Sequence, residues 1–434
     1  MLLTSRLVAA LALAGTAIAS LQIIPGGTWT ASGTNQHVQA HGGGIIQVGS
    51  TYYWIGENKL NGSAFQSINC YSSENLVEWT YVGELLSRQS SGDLGPNRVV
   101  ERPKVLYNEA TRKYVMWMHI DDSSYKEAKT GVATSSSVCG KYTYLGSFQP
   151  LGQQSRDMGL FKDDDGSAYL LTEDRPNGLR INRLTSDYTN VTSTVHLFPE
   201  HIEAPAMYKK NGVYFMFGSQ LTGWSTNDNK YTTSTSISGP WSSWANFAPS
   251  GSNTFNSQTT FILGVGDTQN QVNWILPLQG IWTPGPTETN PEAESSTNAL
   301  SNGARVISCS GCSGGMAVGW IGGPSDGTLR IVGVESSAST RSTIRVKYEN
   351  GDSSQRYALV SVNGKTQVLA FLPSGGSPAS STLHADLQSG SGNTVTFSAY
   401  AQGYGGLFSS PTDLVMAADM EVGPDVDRLM VPKT

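Results

Sequence analysis

Short runs of aromatic and β-branched residues recur along the N-terminal part of the chain. Tyr52–Gly56, Lys113–His119, Ala168–Thr172, Val213–Gly218 and Asn273–Leu278 are the clearest. They return roughly every 45–60 residues, the spacing of propeller blades. A second element follows several of them: a Ser/Thr-rich stretch, a turn, then an aromatic strand. Cys70-Tyr-Ser-Ser leads to Trp79–Gly83, Ala133-Thr-Ser-Ser to Tyr142–Gly146, and Thr232-Thr-Ser-Thr to Gly239-Pro-Trp241. Each unit predicts a four-stranded antiparallel sheet. Such a sheet cannot bury both faces alone, so the units must stack radially, and five strand signals predict five blades. Thr283–Pro291 is a linker by composition. Beyond it short strands return at Thr343–Tyr348, Tyr357–Val362, Thr366–Leu372 and Thr394–Ala399, with Gly and Ser between them. That pattern predicts a separate β-sandwich. The expected fold is all-β, with a five-bladed propeller over residues 21–282, a linker over 283–291 and a sandwich of jelly-roll type over 292–434.

Composition narrows the setting. The 434 residues include 48 Gly, and 14% are charged, a profile poor in helix formers. The net charge of -6 leaves no basic footprint for nucleic acid. Arg6, the apolar run Leu7–Ala14 and the small residues of Ala17-Ile-Ala-Ser20 read as a secretory signal over residues 1–20. The run is short for a membrane span and none follows, so a secreted monomer with no membrane partner is expected. Four Cys allow three pairings, and Cys70 with Cys139 is preferred because it joins two segments of similar pattern. The six His show no zinc-ligand spacing. Asn61-Gly-Ser63 and Asn190-Val-Thr192 are glycosylation sequons.

The candidate chemistry lies in acids at repeated places. Glu101, Asp157 and Glu203 each stand upstream of an aromatic strand, and the repeat puts Glu57 at a comparable position. Carboxylates gathered at one end of a channel suggest glycoside hydrolysis. Glu203 reads as the general acid, followed by the stiffening Pro205, with Asp157 raising its proton affinity. Glu101 reads equally as a structural partner of Arg102 or as a sugar contact. Asp163-Asp-Asp-Gly166 is a hairpin turn, since it lacks the trailing Glu of a calcium loop. Trp224 and Trp282 are candidate sugar platforms, although core packing is the commoner use of Trp.

Six segments carry a family resemblance: Gln39–Gly43, Trp54–Lys59, Val99–Lys104, Ser155–Asp157, Phe161–Gly166 and Ile202–Pro205. Together they resemble fungal exo-β-1,3-galactanases of glycoside hydrolase family 43 that carry a C-terminal carbohydrate-binding module of family 35. The resemblance implies a five-bladed propeller, Glu203 as acid and Asp157 as its modulator. It implies galactose contacts at Glu57, Glu101 and Tyr125. Most of family 43 has an Asp base on the first blade, where this chain reads Gln39-Ala-His41. The galactanase subgroup has a Gln near the site, matching Gln258, and Glu101 is the competing base. The resemblance further implies no cofactor for catalysis, a structural calcium at Glu292, Glu294 and Asp427, and sugar binding by the second domain near Asn350, Asp352 and Tyr357.

Two departures stand out: a strand usual after Phe261 is missing, and an extra stretch lies around Leu407–Val422. The expected reaction is inverting release of galactose from the non-reducing end of β-1,3-galactan, the arabinogalactan backbone. The alternatives are a carbohydrate-binding protein with an inactive propeller, or an arabinofuranosidase or xylosidase.

Overall fold

The computed structural model describes residues 21–24, 26–265, 268–275, 288–401, 420–421 and 423–432. Four four-stranded antiparallel sheets follow one another along the chain. Sheet I holds His41–Val48, Thr51–Glu57, Ser67–Ser73 and Thr80–Ser87. Sheet II holds Val99–Asn108, Lys113–Asp121, Lys129–Ser135 and Thr143–Phe148. Sheet III holds Met158–Lys162, Ala168–Asp174, Gly178–Leu184 and Val191–Phe198. Sheet IV holds Ile202–Lys210, Val213–Gln220, Lys230–Ser234 and Ala245–Asn246. Sheet V pairs Ser257–Val265 with Thr268–Ile275. The first strands of successive sheets are in contact, and that of sheet V touches the first strands of both sheets IV and I. The expected strand signal at Asn273–Leu278 falls on Thr268–Ile275, and its last residues, with Trp282, lie outside the described residues. The extra stretch Leu407–Val422 falls largely outside them as well.

The aromatic strands read from the sequence are the second strands of their sheets. They look continuously apolar because both faces are covered. In Lys113–Asp121, Met116, Met118 and Ile120 pack toward sheet I with Ile55, Ile68 and Leu85. The alternate residues Val115 and Trp117 pack toward sheet III with Met158 and Leu170. A period of two with two buried faces produces an unbroken run. Burial of each such side chain contributes about 1.5–3 kcal/mol. Cys70 of sheet I and Cys139, in the turn after the third strand of sheet II, form a disulfide, and Cys309 joins Cys312.

The acids sit one strand further in. First strands carry a β-bulge between His41 and Gly44, between Glu101 and Lys104, and between Glu203 and Ala206. The residue after each leading position has positive φ: Gly42 at 58°, Arg102 at 51° and Ala204 at 55°. Only glycine takes that backbone without strain. The bulge turns His41, Glu101 and Glu203 toward one end of the assembly. Asp157 takes the same place directly before the first strand of sheet III. Glu57 does not share it: it ends a second strand, opposite His41. The expected equivalence of Glu57 with the other three acids is therefore corrected.

The C-terminal region builds two sheets around one core. Arg305–Ser308, Met316–Gly319, Asp425–Pro432, Thr340–Glu349 and Ala379–Leu387 follow one another in the larger sheet. Glu288–Thr289 adds to Asp425–Pro432, and Thr28–Trp29 pairs in parallel with Ser381–Thr382. Ala299–Ser301, Thr328–Ser336, Gly390–Ser398, Arg356–Val362 and Lys365–Phe371 form the second sheet. Val346, Tyr348 and Leu429 of one meet Ile331, Val360 and Phe397 of the other.

Candidate active site

The leading ends of the first strands bring Asp157, Glu203 and Gln258 into one bonded network, to which Glu101 is tied through Lys59 and Glu57. Arg102 is its hub. The positive φ at Arg102 sends its buried guanidinium across the site rather than into sheet II. Its Nε lies 2.8 Å from Asp157 Oδ2, Nη1 donates to Thr259 O at 3.2 Å, and Nη2 donates to Gln258 Oε1. Gln258 Nε2 donates to Glu203 Oε1 at 2.9 Å and to Ser219 Oγ at 2.8 Å. The Ala204 backbone N–H, exposed by the bulge, donates to Asp157 Oδ2 at 3.0 Å.

Glu203 is 8% exposed. Burial, then the Asp157 charge, push its carboxyl up to about 8 against the pull of Arg102, with Glu173 adding to the rise. A carboxyl kept protonated at neutral pH is a proton donor in waiting. Glu101 is the opposite case. Burial opposes its charge, but the His119 hydrogen bond and charge, with Lys59, hold it below the usual carboxylate range. Tyr125 OH donates to Glu101 Oε1 at 3.0 Å, Lys59 Nζ stands 3.6 Å from the same oxygen, and His119 Nδ1 stands 3.5 Å from Oε2.

Glu57 lies just behind this network. Its Oε1 accepts from the Arg102 backbone N–H at 2.8 Å, and its Oε2 is 2.8 Å from Lys59 Nζ. It is 1% exposed, so it braces the site from inside. Burial disfavours its charge, but Lys59 and His41 outweigh burial and keep it ionised. His119 and Asp121, also buried, were not foreseen. His119 Nε2 lies 3.0 Å from Asp121 Oδ2, and the two carboxylates beside it outweigh burial to raise the imidazole to about 9. The sequence puts His119 on a second strand, and the register of the sheet sets it opposite Glu101. Trp224 is 69% exposed, on the loop after the second strand of sheet IV, which begins beside Glu203.

A model of the Glycosyl hydrolases family 43 matches residues 39–268. The chain belongs to glycosyl hydrolase family 43. Its sequence is 34% identical to the exo-β-1,3-galactanase of Phanerochaete chrysosporium in complex with galactose, over 95% of this chain and 99% of that one, at a TM-score of 0.60. A single-residue variant of the same relative, bound to β-1,3-galactotriose, superposes at a TM-score of 0.59. A putative exo-β-1,3-galactanase from Bifidobacterium bifidum is 39% identical over 56% of this chain and 82% of its own, at a TM-score of 0.54. A xylan 1,3-β-xylosidase from a Vibrio species is 28% identical over 133 residues, and the match spans 24% of that protein. The protein is a glycoside hydrolase.

In this family 43 hydrolase the C-terminal candidates divide. Ser313 Oγ donates to Glu292 Oε1 at 2.9 Å, and the Ser313 N–H donates to Asp427 Oδ1 at 3.0 Å. Glu292 Oε2 and Glu294 Oε2 are buried without a hydrogen-bond partner. Burial pushes Asp427 up to about 6 against Arg428, with Glu292 and Glu294 adding to the rise. Carboxylate oxygens are hard donors of the kind Ca²⁺ takes. The sugar candidates are placed differently. Asn350 is fully buried, and its amide donates to Ser354 O and Phe371 O and accepts from the Asp352 N–H. That amide shapes a turn and offers no face to a ligand, which corrects the expectation for Asn350. Asp352 pairs with Arg356 at 2.7 Å. Tyr357 packs on Tyr400, and its OH accepts from Gln355 Nε2 at 2.5 Å.

Proposed function

We propose that this hydrolase removes galactose from the non-reducing end of β-1,3-galactan, with inversion at the anomeric carbon. The observation that carries the reading is the contact of Gln258 Nε2 with Glu203 Oε1 at 2.9 Å. The first-strand position on sheet I, meanwhile, holds His41 rather than an acid. Similarity to an exo-β-1,3-galactanase along nearly the whole chain supports the substrate. Glu203 gives its proton to the glycosidic oxygen as the bond from C1 to that oxygen breaks. Water attacks C1 from the opposite face and must surrender a proton. An amide has almost no affinity for that proton at working pH. Gln258, pinned by Arg102 and Glu203, orients the water, and the ionised Glu101 receives the proton. Tyr125 and Lys59 hold Glu101 in place.

The same reading makes sheets I–V a closed five-bladed propeller whose last blade is reduced. The C-terminal sheets become a carbohydrate-binding sandwich with Glu292, Glu294 and Asp427 around calcium. Residues 1–20 direct secretion.

Proton NMR of the protein acting on β-1,3-galactan tests the reaction. Free galactose with the α anomer formed first is expected, and Glu203→Gln should lower turnover by about 10²–10⁴-fold while polymer binding persists. Binding without galactose release would establish the carbohydrate-binding alternative instead. The Vibrio similarity supports a xylosidase as the second reading, and release of xylose from a β-1,3-xyloside in preference to galactose would favour it.

A further inference from the structure

Five residues stand at the leading ends of the first strands: His41, Glu101, Asp157, Glu203 and Gln258. Second-strand residues back them. Glu57 stands opposite His41, His119 opposite Glu101, and Ser219 opposite Glu203. Behind Asp157 the backing residue is Glu173, whose N–H donates to Asp157 O at 2.9 Å. Three of these backing residues already have work: Glu57 and His119 brace charges, and Ser219 holds Gln258. Glu173 is the fourth.

Glu173 is 1% exposed, and carboxylate oxygens of Asp157, Glu173 and Glu203 lie within 4.8 Å of one another. Its Oε1 accepts from Arg175 Nε at 2.6 Å, while Oε2 is buried without a hydrogen-bond partner. The charges around Glu203 therefore come as two matched pairs. Arg102, from sheet II, is held by Asp157 at 2.8 Å. Arg175, in the turn after the second strand of sheet III, is held by Glu173. Arg156, beside Asp157, leans instead on Asp121 at 3.3 Å, and Arg180 of the next strand is bound to Asp174 at 2.6 Å. Sheet V presents the neutral Gln258.

We propose that Glu173 is a positioning residue for the hydrolytic step: it ties up the Arg175 guanidinium, which would otherwise draw the proton off Glu203. Arg102 and the half-exposed Arg175 then each have their own carboxylate, and Glu203 remains a proton donor. Burial and the Asp157 charge push Glu173 itself upward, against Arg175, so the three carboxyls share a crowded, poorly hydrated corner. The inference rests on Glu203 being the general acid.

The test is the pH dependence of kcat/KM on β-1,3-galactotriose, whose basic limb reports the free enzyme's acid. Glu173→Gln leaves Arg175 uncompensated, and the basic limb moves to lower pH by about one unit or more. Adding Arg175→Met to that variant removes the stray cation and brings the limb back toward its original position. Glu173→Asp keeps the charge but withdraws it by one methylene, and moves the limb the same way by less; it serves if the Gln variant does not fold. A loss of kcat with the limb unmoved in both single variants would overturn the proposal, as would a shift that Arg175→Met does not reverse. If Glu203→Gln stays active, the acid assignment has failed instead, and the two failures are distinct.

Discussion

At Glu203 catalysis and stability pull against each other. The folded state raises its pKa from the ordinary carboxylate value to about 8, so the native protein holds a proton that the unfolded chain releases. Linkage fixes the sign. Stability from this group is fully present below about pH 4.5, declines as pH rises, and is lost once pH passes about 8. Glu203→Gln removes the titration. The variant should unfold at higher denaturant than the parent at pH 8.5, and the gap should close toward pH 4. Urea titrations at the two pH values would read it. A gap that stays constant with pH would mean that the raised proton affinity is not a folded-state property of this carboxyl.

At the scale of elements, the strand bulge decides where side chains point. Ala204 is fully buried at positive φ, and its N–H reaches Asp157 only in that conformation. A β-branched residue there meets both backbone strain and a full core. Ala204→Val should cost roughly 2–4 kcal/mol, read from chemical unfolding, and should lower turnover with it. An unchanged midpoint would show that the bulge relaxes freely. The bulge also marks the limit of what the sequence discloses. Aromatic periodicity located every second strand, and Glu101, Asp157 and Glu203 were found by their distance from those strands. Positive φ at Arg102 and Ala204 is invisible in the residue types, because neither is glycine. So Arg102 read as a neighbour of Glu101, although its side chain serves Asp157 and Gln258. Glu57 was displaced by one strand for the same reason. His119 and Glu173 went unassigned because cross-strand register, rather than spacing along the chain, brings them to the site. Asn350 stood as a sugar contact by resemblance, and composition does not tell a buried turn amide from an exposed one.

At the scale of the molecule, the C-terminal carboxylates come from the two ends of their region: Glu292 and Glu294 open it, Asp427 lies in its last strand, and Ser313 bonds to both Glu292 and Asp427. A cation bound there and absent from the unfolded chain stabilises by mass action, about 2.7 kcal/mol at a hundredfold excess over Kd. Calcium should therefore raise the melting temperature of the full chain and a chelator should lower it. Asp427→Ala should abolish both responses, as scanning calorimetry would show. A melting temperature indifferent to calcium would remove the ion from this account. The exposed ion pair between Arg341 and Glu78 also bridges the two halves, but contacts of this kind contribute only about 0–1 kcal/mol.

The strand Thr28–Trp29 gives the molecule a history as well as a shape. Thr28 Oγ1 donates to Ser380 O across 352 residues of sequence. At about 5–20 residues per second of synthesis, roughly 20–70 s separate the two on the ribosome. One of the first pieces of the described chain to emerge must wait for an edge among the last to be made. Trp29 meanwhile has Trp54 to rest on, at 5.7 Å between ring centroids. A chain cut after the fifth sheet would never supply that edge. It would keep every residue of the active site and still carry an unpaired strand, free to find an edge on another molecule.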